Sequence, residues 1–142
     1  MKDLSVLAKN VDAIAESLGF KVKRQVERTA FYYYVDGNGN DTLNSKGEKL
    51  CLSMSFCDDP GGKCSLPALW HKHGFTKERI KDWWSLDTFV TDSEGKCIGA
   101  YDPTWKFNYL TGRREINFDW LLPATEENFK KLLDEVLSRF NG

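Results

Sequence analysis

Hydrophobic positions along this chain switch between helical and alternating spacing, and each switch marks an element. Leu4, Leu7, Val11, Ile14 and Leu18 recur every three to four residues, with Ala8 and Ala15 beside them. Gly19 follows at once, where a glycine commonly ends a helix. From Phe20 the period drops to two. Phe20, Val22 and Val26 share one parity, and Lys21, Lys23, Gln25 and Glu27 take the other. Thr29 to Val35 continues the alternation, so the two runs read as adjacent strands or one long bent one, and the turn-rich run Asp36-Gly37-Asn38-Gly39-Asn40-Asp41 ends it. Leu50, Leu52, Met54 and Phe56 then alternate with Cys51, Ser53 and Ser55, predicting a third strand.

Asp58-Asp59-Pro60-Gly61-Gly62 breaks this pattern and opens an insert that runs to Trp84. Pro67 suits the first turn of a short helix over 66–72, and Thr76 the cap of another that reaches Trp83. Beyond the insert, 85–91 and 96–101 predict strands around the turn Asp92-Ser93-Glu94-Gly95. The runs 105–110 and 113–120 predict a second hairpin, with Ile116, Phe118 and Trp120 facing the core. Thr125 is a helix N-cap followed by Glu126 and Glu127. Phe129, Leu132, Leu133, Val136, Leu137 and Phe140 form that helix's apolar stripe.

The order implies one α+β domain over 1–142. Its sheet is single and antiparallel, of about six strands, because short turns join the strands. The N- and C-terminal helices pack on one face, and the helical or irregular insert separates two strand groups.

Composition narrows the function classes. Net charge is −1 and evenly spread, so no global basic field gathers nucleic acid. The N-terminus enters a helical pattern without an apolar leader, and no apolar run approaches the ~18 residues that span a bilayer. A cytoplasmic protein that needs no membrane is the expectation. In that reducing compartment Cys51, Cys57, Cys64 and Cys97 are thiols or metal ligands rather than disulfides.

Candidate chemistry gathers between Cys57 and Trp84, the stretch that holds both histidines. Cys57, Cys64, His71 and His73 offer four nitrogen and sulfur ligands, the number a tetrahedral zinc requires. The spacing is not that of a zinc finger, and packed thiols with surface histidines are the simpler account. Cys64 with His71 or His73 and Asp87 has the residue types of a thiol triad but no hydrolase signature. Asp58, Asp59, Asp87, Asp92 and Glu94 could assemble a hard-metal or acid/base site, but Asp92-Ser93-Glu94-Gly95 is more simply a hairpin turn. Phosphate-binding and dinucleotide glycine motifs are absent from the sequence, and the balance leans away from an enzyme.

Two binding readings remain. Lys21, Lys23 and Arg24 precede Tyr32 and Tyr34; on one sheet face they would interleave charge with stacking surface for single-stranded nucleic acid. Trp70, Trp83 and Trp84 belong to the insert, and neighbours such as Trp83 and Trp84 cannot both face one core: one is either exposed, which would suit a protein partner, or packed in a second small core beneath the insert.

The runs Ser65-Leu66-Pro67-Ala68-Leu69-Trp70, Trp84 to Gly95, Ile116-Asn117-Phe118-Asp119-Trp120 and Ala124 to Asn128 give a resemblance over roughly 65–140. The chain there resembles uncharacterised small proteins of phages and conjugative elements of gut Firmicutes. The resemblance carries no activity and no functional residue. It implies an accessory or inhibitor role on a mobile genetic element, acting by docking on other proteins. The leading expectation is therefore a non-enzymatic protein-binding module without a cofactor. Single-strand nucleic-acid binding and a zinc-dependent protein are the alternatives.

Overall fold

The computed structural model describes residues 3–57, 83–91, 97–98 and 101–142. Helix α1 spans Leu4–Ser17. Asp3 caps it, accepting hydrogen bonds from the Ser5 and Val6 amides, as a short acidic side chain at a positive helix end should. Gly19 takes φ +97°, a left-handed conformation that turns the chain into the sheet. A β-carbon there would also press to 3.2 Å from the Tyr34 ring.

Among the described residues, a sheet of five strands follows the helix: β1 (Phe20–Val26), β2 (Thr29–Tyr34), β3 (Lys49–Cys57), β4 (Trp83–Thr91) and the short β5 (Cys97–Ile98). They lie in sequence order, each antiparallel to its neighbour. Helix α2, Glu126–Asn141, closes the described chain. Thr125 Oγ1 accepts from the Asn128 amide at 3.1 Å, the cap that the sequence predicts.

Both helices pack on one face of the sheet. The apolar stripe of α2 meets the parity of Phe20, Tyr32, Leu52, Met54, Phe56 and Trp84 in one buried cluster. Tyr32 and Trp84 both cross Phe129 edge-on, and Tyr34 crosses Phe140. The Trp84 indole N–H donates to the Thr125 carbonyl at 2.9 Å, pinning the start of α2 to β4.

Three expectations change. The run 105–116 does not join the main sheet: β6 (Trp105–Asn108) and β7 (Arg113–Ile116) form a separate two-stranded ribbon. The chain is redirected just before it. Tyr101 adopts φ +65°, and the Asp102 carboxylate accepts from both the amide and the hydroxyl of Thr104. Strand β7 also stops at Ile116, and 118–120 is a 3₁₀ turn rather than strand. Finally, Trp83 begins β4 instead of ending a helix. The remainder of the insert, 58–82, lies outside the described residues, including both short helices expected there.

Candidate functional site

The register decides which sequence-level candidates meet. In β1 and β2, Phe20 pairs with Tyr34, Lys21 with Tyr33, Val22 with Tyr32 and Lys23 with Phe31. Paired residues project to the same face, so Lys21 and Lys23 share a surface with Phe31 and Tyr33. Tyr32 and Tyr34 belong to the other parity and point under the helices, Tyr32 being 1% exposed. The expected platform of Lys21, Lys23, Arg24, Tyr32 and Tyr34 therefore splits between two faces.

Arg24 is on the inner side as well. It ion-pairs with Asp12 of α1, its Nε lying 3.1 Å from Asp12 Oδ2. Its Nη2 also donates to the Tyr32 hydroxyl, which in turn donates to Asp12 Oδ1; both contacts are 3.0 Å. Burial pushes the Tyr32 phenol well above its ordinary range, with the Asp12 charge adding and Arg24 opposing. Arg24 and Tyr32 thus bolt α1 to the sheet.

The two adjacent indoles are both buried. Trp84 is 3% exposed within the helix-covered core, and Trp83 is 2% exposed. Alternation places Trp83 on the opposite face, where its backbone bridges to Pro123. There it lines a cavity of about 60 Å³ with Ser85, Asp87, Thr104, Trp105 and Leu121. That space is too small for a metabolite. Each neighbour has its own covered face, so the expectation that one indole is free to touch a partner does not hold.

Trp70, Cys64, His71 and His73 lie outside the described residues, and Cys57 is described only as the last residue of β3. Among the described residues no three His, Cys, Asp or Glu side chains converge as metal ligands. Burial raises the Asp102 carboxyl above the ordinary carboxylate range against the lowering effect of Thr104; nearby Asp87 adds to the rise and Arg114 opposes it.

What the structure exposes instead is the tip of the β6–β7 ribbon. Tyr109 is 89% and Leu110 97% exposed, with Phe107 half-exposed beside them. The tip is built, not frayed. Asn108 Oδ1 accepts from the Leu110 amide at 2.9 Å, Gly112 N–H donates to the Asn108 carbonyl at 2.8 Å, and Gly112 takes φ +69°. Phe107 and Tyr109 stack edge-on, their centroids 4.9 Å apart. Along the ribbon, Lys106 pairs across to Glu115, Phe107 to Arg114 and Asn108 to Arg113. The Arg114 guanidinium lies over the Trp105 ring at 5.4 Å. The result is an apolar point on a shaft in which three cations outnumber one carboxylate.

Compared with known proteins, the chain matches no family model, no curated protein and no solved structure. Its chemistry must be argued from the residues themselves.

Phe107, Tyr109 and Leu110 fall in the run 105–110, whose alternation predicts only a strand. Their signal was the alternation itself: Trp105 and Phe107 occupy one parity of a short hairpin, and Tyr109-Leu110 then fall in its turn, where polar residues normally sit.

Proposed function

We propose that the chain is a non-enzymatic protein-binding module whose contact element is the β6–β7 ribbon. The observation that carries this reading is the near-complete exposure of Tyr109 and Leu110 on an ordered turn. A large aliphatic side chain held in water gains free energy when a partner covers it, at about 25 cal/mol per Å². Aromatic anchors ringed by arginine are the composition of interface hot spots. Lys106, Arg113 and Arg114 fit a partner whose apolar pocket is rimmed by acidic groups. An accessory or inhibitor role on a mobile element is consistent with such docking. Among the described residues, no helix is long and apolar enough to cross a membrane.

Quantitative affinity purification tests the proposal, with the chain compared against Leu110→Asp and Arg113→Glu variants. A protein retained by the native chain and lost with both variants is the expected result. Identical recoveries across all three would contradict it, as would binding to anionic vesicles with no protein retained.

A further inference from the structure

The outer face of the sheet carries a pattern that protein docking through the ribbon does not use. Register across four strands sets Lys21 opposite Tyr33, Tyr33 opposite Cys51, and Cys51 opposite Phe89, so these side chains form one transverse row. The next row begins with Lys23 opposite Phe31. Lys21 and Lys23 are exposed, Phe89 is 40% exposed, and Phe31 and Tyr33 are half-buried. Both α-helices lie against the opposite face.

From this arrangement we infer that the outer face binds single-stranded nucleic acid, with bases stacking on Phe31, Tyr33 and Phe89 and phosphates meeting Lys21 and Lys23. Neighbouring strands are separated by ~4.8 Å and same-face residues along a strand by ~7 Å, so rings at these positions can each take a base. Every base presents a flat apolar face, so stacking of this kind needs no sequence. The two lysines stand on β1, the edge strand of the sheet among the described residues, where a backbone can run past them without crossing the helices. Charge favours this occupant on the β1 side. Asp87 lies in the second row, across β3 from Phe31, and sets the far limit of the phosphate path. Duplex ends up excluded, because its bases are paired and stacked on one another and cannot reach the rings.

The test is fluorescence anisotropy with a labelled oligothymidylate of about 12 nucleotides, enough for one such site. Binding at ~50 mM salt is expected, with affinity falling about sevenfold by ~200 mM for two neutralised phosphates. Duplex of the same length is expected to compete poorly. Lys21→Glu with Lys23→Glu changes only exposed positions and is expected to abolish binding. Phe89→Ala is expected to weaken it about tenfold, the scale of one stacked base. Leu110→Asp, on the ribbon, is expected to leave it unchanged, which separates this site from the protein-docking reading. No binding at ~50 mM salt overturns the inference, whether another segment of the chain or a protein occupies the face. Equal binding by the double lysine variant, or equal affinity for duplex, overturns it too.

Discussion

The Tyr32 hydroxyl shows how one side chain can serve the fold and set its pH response. It lies beneath α1 between Asp12 and Arg24, donating to the first and accepting from the second. Burial raises its folded pKa above the ordinary tyrosine value of about 10. The neutral phenol is therefore favoured in the native state, and its stabilising contribution is complete below the ordinary tyrosine range. As pH rises through that range the unfolded chain releases a proton that the folded chain keeps, so stability falls. Urea unfolding followed from pH 8 to 11 is expected to show this decline. Tyr32→Phe is expected to cost about 1–3 kcal/mol at neutral pH, since the Asp12 carboxylate loses a donor. The same variant flattens the alkaline decline. An unchanged slope would assign the decline to other groups, such as Tyr101, whose hydroxyl donates to Glu48 and whose pKa is raised mainly by that bond.

Strand β4 and the β6–β7 ribbon behave as opposites at the scale of elements. Trp84 is buried, contacts Phe56 and Phe129, and donates to the cap of α2. Trp84→Ala is expected to destabilise by about 3–5 kcal/mol, measured by chemical denaturation, because it leaves a cavity and frees the start of a helix. Leu110→Asp changes a fully solvated position and is expected to stay within about 0.5 kcal/mol of the native chain. Both helices, the Gly19 stop, the Thr125 cap and the first three strands were legible in the sequence, because periodicity and end signals agree over long runs there; the Asp3 cap was not among them. The split of the platform was not. Single-strand alternation says that Lys21 and Lys23 share a face and that Tyr32 and Tyr34 share one. Only the offset across the tight β1–β2 turn says which pair of tyrosine-strand residues joins the lysines, and a one-residue change reverses the answer. The fate of Trp83 and Trp84 was hidden for a related reason. Alternation correctly sends them apart, but whether the second face is covered depends on where 102–105 and 121–123 return in space. The separate ribbon escaped the sequence because its detachment rests on the Asp102–Thr104 turn and the left-handed Tyr101.

The described residues form a meander with one face closed by helices, and a ribbon that is hydrogen-bonded separately from the sheet while its base, at Trp105, meets β4 beside Trp83, Ser85 and Asp87. Among the described residues two surfaces offer themselves for recognition, and they differ in chemistry. The ribbon tip is aliphatic and aromatic on a cationic shaft, suited to an acidic-rimmed pocket on a protein. The outer sheet face interleaves lysine with aromatic rings at its β1 side, suited to a single strand. Their separation predicts independent loss: ribbon variants leave nucleic-acid affinity intact, and lysine variants leave protein docking intact. Site-specific photo-crosslinking reads docking through the exposed tip. A photoreactive residue at Leu110 is expected to give one discrete adduct with a partner protein in cells that carry the native gene. The same residue at exposed Lys9 on α1 is expected to give none. Matching adduct patterns from the two positions, or no adduct from Leu110, would contradict the account.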